Sequence, residues 1–201
     1  MHSAASEPVK SMEAYKLKTI DDLLISPEER VELIDGEIVR RPMARADHGM
    51  VQVTTATELG DLPRRSGPGG WWIITEVSVA YEQHQCPSHD LAGWRKERMP
   101  QRPRGVVELT PDWVCEIVSA GHERKDTLTL FLLLQRHHVP YYWLIWPEDR
   151  TLIVHQLDGD TYRVAMTVTL SGDEDGAVAG KGVHVPPFED VELDLGYILG
   201  A

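Results

Sequence analysis

The sequence predicts an α/β protein of the α+β kind, a mixed β-sheet flanked by helices with β-hairpins toward both termini. Three observations carry that expectation. Apolar patterns of helical and strand period follow one another in the order helix, hairpin, helix, strands, helix, strands. Two Asp-Gly pairs, Asp35-Gly36 and Asp158-Gly159, each sit between β-prone runs, which is the strongest short-range hairpin signal. No segment of roughly 20–50 residues repeats, which excludes a solenoid or propeller. The order also lacks the strand–helix alternation of a doubly wound parallel sheet.

Taken along the chain, TIDDLLISPEER reads as a short helix with Thr19 at its N-cap and Asp21 and Asp22 favouring the dipole. VELIDGEIVRRP is the first hairpin. Asp47 is placed to cap a helix over about residues 48–62, with Val51, Thr55 and Leu59 on one stripe. WWIITEVSVAYEQ is dense in β-branched and aromatic residues and reads as a strand, returned by a turn at CPSH into an antiparallel HDLAGW. PDWVCEIVS is a strand with Val114, Glu116 and Val118 on one face and Trp113, Cys115 and Ile117 on the other. HERKDTLTLFLLLQRHH is a helix whose apolar block, Leu130 to Leu134, should be buried. VPYYWLIWP is a core strand, DRTLIVHQLDGDTYRVAMTVTL a second hairpin, and SGDEDGAVAGKG a polar loop. VHVPPFEDVELDLGYILG reads as a strand and a short terminal helix.

The 201 residues divide most simply into a flexible N-terminal tail, residues 1–18, and a single domain, residues 19–201. No apolar run approaches the ~20 residues that span a bilayer, and the N-terminus carries no apolar signal-peptide stretch. With only Cys86 and Cys115, a reduced cytoplasmic protein is the default expectation. The net charge of −12 argues against nucleic-acid binding driven by global charge. The charge is uneven: Arg95, Lys96, Arg98, Arg102 and Arg104 face only one acid, Glu97, within their segment. That passage suits contacts to a phosphate backbone, a solvated loop, or a dimer arm paired with the acidic C-terminal region.

The candidate chemistry lies in two carboxylates, Asp90 and Glu116, delivered by neighbouring strands. Side by side they cost free energy unless a proton or cation neutralises them. Their oxygen ligands suit Mg²⁺ or Mn²⁺. A turn acceptor and an arginine partner are the ordinary structural alternative for the same two residues. His84, Cys86 and His89 lack a second ligand cluster for structural zinc. Gly67–Gly70 precedes a strand, the wrong context for a phosphate loop.

Several pieces in this order, ELIDGEIVRRP followed by His48, GPGGWWI, DLAGWRKERMP, PDWVCEIVS and VPYYWLIWP, make the chain similar to the Uma2 (DUF820) family of endonucleases. The resemblance implies a restriction endonuclease-like PD-(D/E)xK fold and hydrolysis of DNA phosphodiesters. It places Asp90 and Glu116 as catalytic residues holding Mg²⁺ or Mn²⁺. A homodimer would supply the two sites that a double-strand cut needs. Glu32 matches the family's hairpin glutamate and His48 its histidine, so both join the candidate catalytic residues, with Glu76 on the strand feeding Asp90 as a further carboxylate.

Three positions depart from the family's pattern. His89 replaces the proline before the aspartate. Val118 stands where a lysine closes the classical PD-(D/E)xK motif, an absence that is normal in the family. The family's alternative lysine, four residues after a helix aspartate matched by Asp126, falls on Leu130. Trp146 replaces a later aspartate. Lys125 is then the nearest catalytic candidate, but on an α-helix five residues from Leu130 is a rotation of about 140°. Two readings follow: an endonuclease weakened at position 130, or a catalytically inactive nuclease fold serving as a binding or assembly module.

Overall fold

A computed structural model describes residues 16–43, 45–66, 69–119 and 123–200. Most of the tail expected over residues 1–18 lies outside them. Its last residues are docked: the Lys18 N–H donates to Gly36 O at 2.8 Å, and Lys18 O meets His84 Nδ1 at 2.6 Å.

Helix α1, Ile20–Leu24, starts at a capping box in which the Thr19 hydroxyl and the Asp22 carboxylate each satisfy the other's backbone N–H. Strands β1 (Val31–Ile34) and β2 (Glu37–Arg40) form the first hairpin. Asp35 and Gly36 both take positive φ, 49° and 76°, as a tight two-residue hairpin turn requires. Helix α2, Ala46–Glu58, begins earlier than expected, with Arg45 at the N-cap and no side-chain cap. Asp47 lies inside the first turn, where its charge favours the helix dipole without capping. The expected continuation to residue 62 fails because Pro63 cannot extend the ladder, and Leu62–Arg64 form a 3₁₀ turn.

The main sheet has six strands in the order β3 (Trp71–Ser78), β4 (Ser88–Arg95), β5 (Trp113–Ile117), β6 (Tyr141–Trp146), β7 (Thr151–Asp158) and β8 (Thr161–Thr169). All neighbours are antiparallel except β5 and β6. A parallel pair needs a long crossover, and the segment between them supplies it as a π-helical turn, Lys125–Leu130, running into α3, Phe131–Arg136. Only Leu130, Leu133 and Leu134 of its apolar block are buried; Leu132 is 53% exposed, because a helix packing on a sheet buries one stripe.

One face of the sheet packs Trp71, Trp113 and Trp143 around Phe188, with T-shaped ring centroids 5.0–5.6 Å apart, beneath α2 and the C-terminal helix. The other face packs Val77, Ala92, Trp94, Val114 and Leu144 against the crossover helix. The alternation read from PDWVCEIVS holds: Trp113, Cys115 and Ile117 join the first core, Val114 and Val118 the second. Both cysteines are buried free thiols.

Two C-terminal expectations change. The Gly-rich loop over 171–182 contains a short helix, α4 (Glu174–Ala179), because the Asp173 carboxylate caps it by accepting the Gly176 N–H. The strand expected after it is reduced to one bridge, Val183 with Leu193, before α5, Leu195–Leu199, capped by Asp194. Pro186 and Pro187, which have no N–H to donate, interrupt it.

Candidate active site

The ladder between β4 and β5 ends at Leu91–Cys115, so the next opposed residues, Asp90 and Glu116, stand where the strands separate. Their carboxylates replace the missing ladder bonds. Asp90 Oδ2 accepts the Ile117 N–H at 2.8 Å, and Glu116 Oε2 accepts the Asp90 N–H at 3.3 Å. Asp90 Oδ1 stays directed at a pocket of about 190 Å³, with His48 Nε2 at 3.3 Å and an Arg41 guanidinium nitrogen at 3.6 Å. Glu116 Oε1 instead lies 2.5 Å from His89 Nδ1, whose Nε2 is 2.9 Å from the Tyr81 hydroxyl.

Glu76, opposite Asp90 on β3, adopts φ 52° within an otherwise regular strand. It ion-pairs with Arg41 and accepts from Gln52 Nε2 at 2.9 Å, while the same amide donates to Asp90 O. Ligand-capable atoms of His48, Glu76 and Asp90 all lie within 4.8 Å of one another. A first-row or alkaline-earth ion bonded at ~2.0–2.3 Å to each donor demands such spacing. Two carboxylates and an imidazole therefore fit a divalent cation, with Glu116 beside them on the pocket wall.

Lys125 also lines the pocket. It is the first residue of the π-helical turn, and i→i+5 closure brings residues five apart toward the same side of the helix. The phase mismatch expected of a regular α-helix is reduced, and Lys125 Nζ reaches Glu32 at 2.8 Å. Glu32 is 2% exposed and also accepts the Ser88 N–H at 3.1 Å, so β1 is tied to the start of β4. Leu130 is fully buried in the core. The sequence candidates Asp90, Glu116, Lys125, His48 and Glu76 thus share one pocket, with Glu32 behind Lys125.

Burial works against the Asp90 charge, but the His48 hydrogen bond, the His48 charge, the Ile117 amide and Lys125 outweigh it and hold the carboxyl below its ordinary range. His48 is raised, chiefly by that same hydrogen bond. Glu116 is pushed well up by burial and by the Asp90 charge. Asp126 rises to about 8, again through burial and then the Glu116 charge. Burial, followed by the positive charge of Lys125, lowers His89 to about 3. The site therefore sets an ionised Asp90 next to carboxyls that favour the protonated form.

Sequence reasoning missed Arg41, Gln52, Ser119 and the arginines Arg30 and Arg45 that share the pocket wall with Arg41. A signal for Gln52 existed, since it lies four residues after His48 and so on the same helix face. The basic run Arg95–Arg104 is elsewhere, at the far end of β4 from Asp90. Arg95 lies over Trp71, Lys96 donates to Pro63 O and Arg65 O, and Arg98 pairs with Asp112 at 2.7 Å. Those three residues therefore do not form a basic patch beside the carboxylates.

The mixed sheet with acidic residues at the splayed strand ends defines a restriction endonuclease-like fold. It is shared with the crystal structure of "a putative nuclease belonging to DUF820" from Anabaena variabilis, at a TM-score of 0.67 and 21% identity, covering 90% of this chain and 97% of that one. The chain belongs to the Uma2 family, described as "putative restriction endonuclease", whose profile matches residues 16–177. No curated protein matches the chain. Among the described residues, no helix is long and apolar enough to cross a membrane.

Proposed function

We propose that the protein is a divalent-metal-dependent endonuclease hydrolysing DNA phosphodiester bonds, with Asp90 as the principal ligand. The observation that carries this reading is the His48–Glu76–Asp90 cluster in a pocket that Arg30, Arg41, Arg45 and Lys125 also line. The oxygen-rich donor set suits Mg²⁺ or Mn²⁺, held by Asp90 with Glu116, Glu76 and His48 around it. When bound, such an ion lowers the pKa of a coordinated water and neutralises phosphate charge.

The protein's own groups do the rest. The Ile117 amide fixes the Asp90 rotamer, leaving Oδ1 toward the pocket. Lys125, anchored by Glu32, presents a positive charge where a phosphate gains negative charge in the transition state. Arg30 and Arg45, which line the same pocket, supply positive charge toward the phosphodiester backbone. The proposal includes a homodimer acting in the cytoplasm, in which two pockets address the two strands.

The test is cleavage of supercoiled plasmid by purified protein with Mn²⁺ or Mg²⁺. Nicking and linearisation that EDTA and Asp90→Ala both abolish is the expected result. The second reading, a non-catalytic binding module, is favoured by the burial of Leu130 at the family's lysine position. Absence of cleavage in either metal, with Asp90→Ala indistinguishable from the parent protein, would select it.

A further inference from the structure

The cation cluster is already occupied by a side chain. Arg41 sits between Glu76, with which it ion-pairs, and Asp90 Oδ1, 3.6 Å away. Its side chain is only 14% exposed. A guanidinium and a divalent ion drawn to the same carboxylates repel one another, so Arg41 competes with a cation for the cluster. The same pocket is lined by Arg30, Arg45 and Lys125 as well as by its carboxylates, so positive groups that can bind a phosphate lie beside the cluster.

We propose that Arg41 is a positioning residue that couples substrate to cation binding: it fills the carboxylate cluster in the free protein and moves to a substrate phosphate as the cation enters. The inference rests on the metal-site reading given above. Three features suit it. The Arg41 N–H is anchored to Arg30 O at 2.8 Å, so the backbone stays while the long side chain swings. Gln52 Nε2 binds both Glu76 Oε1 and Asp90 O at 2.9 Å, which holds the cluster in place after Arg41 leaves. The positive φ of Glu76 is a backbone conformation that a glutamate adopts only where its surroundings impose it, here opposite Asp90. Arginine suits both partners, since its planar fork binds carboxylate and phosphate alike.

The experiment is Mn²⁺ titration of the full chain by calorimetry, with thermal melts, for the parent protein, R41Q, R41K and D90N, each with and without dimethyl phosphate as the phosphodiester probe. R41Q is expected to bind Mn²⁺ about tenfold or more tightly than the parent without the probe, and to gain a larger melting-temperature rise from it. Dimethyl phosphate should tighten Mn²⁺ binding to the parent and leave R41Q unchanged. R41K serves if R41Q does not fold; its single ammonium cannot bridge Glu76 and Asp90 with separate nitrogens as Arg41 does, so it should hold the cluster less firmly and also bind Mn²⁺ more tightly than the parent. If the arginine variants bind Mn²⁺ no better than the parent while D90N abolishes binding, the coupling role is overturned and the metal site stands. If no variant binds Mn²⁺ with or without the probe, both fall.

Discussion

Asp90 and Glu116 stabilise one another's strand through the backbone, Asp90 accepting from Ile117 N and Glu116 accepting from Asp90 N. The exchange occurs one position beyond the last ladder pair, Leu91–Cys115. It lets two strands separate without orphaning buried amides, whose loss would cost about 1–3 kcal/mol each. Both carboxylates are thus structural as well as candidate ligands, and the two roles can be separated at Asp90.

Asp90→Asn keeps an oxygen for the Ile117 amide but removes the charge. Its unfolding free energy should stay within about 1 kcal/mol of the parent, while Mn²⁺-dependent plasmid nicking falls about a hundredfold or more. Asp90→Ala loses both functions and should cost a further 1–3 kcal/mol or so. Urea unfolding and nicking assays on the same preparations check this; equal stability losses in the two variants would count against the dual role.

Lys125 and Leu130 give a paired prediction. Leu130 is fully buried, so Leu130→Lys should destabilise the protein by about 3–5 kcal/mol as an unpaired buried charge, without raising nicking activity. Lys125→Met strands the buried Glu32 carboxylate; with the lysine side chain 27% exposed, the expected cost is a smaller 2–3 kcal/mol or so. Adding Glu32→Gln should restore at least half of that stability, while activity stays low. A double variant no more stable than the single one would show that Glu32 is not held by Lys125.

The sheet, the hairpins and the Asp90–Glu116 pairing were legible in the sequence because each rests on local pattern: Asp-Gly turns, alternation in PDWVCEIVS, β-branched density in WWIITEVS. The position of Lys125 was not. Regular α-helical phase turns it away from the site, and nothing in KDTLTL announces a π-helical turn. Arg41 was equally hidden, because RRP at a strand end looks like any solvated pair of arginines. Only the fold reveals that one of them enters an acidic cluster. The basic passage after Arg95 misled in the opposite sense: its local charge is conspicuous, but three of its side chains are bound to Trp71, backbone carbonyls and Asp112.

Glu76 offers a test of backbone strain. Its φ of 52° lies in the left-handed region, which costs a non-glycine residue about 1–2 kcal/mol. Both Glu76→Gly and Glu76→Ala lose the contacts to Arg41 and Gln52, so their difference isolates the backbone. Glycine should be the more stable by about 1 kcal/mol, the reverse of the order in a regular strand interior. Urea denaturation resolves the sign, and an alanine variant as stable as the glycine one would mean that the strand relaxes to ordinary geometry.

Asp126 makes stability fall with rising pH. Burial and the Glu116 charge raise its carboxyl to about 8 from an ordinary 3.8, so the folded protein keeps a proton that the unfolded chain has released. With more protons bound in the folded state, unfolding free energy declines as pH rises toward 8, at about 1.4 kcal/mol per pH unit for one such group. Below 6.5, His89 acts in the opposite sense: burial and Lys125 hold it near 3, so the unfolded chain takes up a proton that the folded state refuses. The clean window is therefore above 6.5. Between pH 6.5 and 8.5, in EDTA, Asp126→Asn should gain about 2 kcal/mol on the parent protein, because the amide has no proton to lose. Glu116 and His48, both raised, leave a residual decline in both proteins. Parallel pH–stability curves for Asp126→Asn and the parent would show that Asp126 is ionised in the folded state at neutral pH.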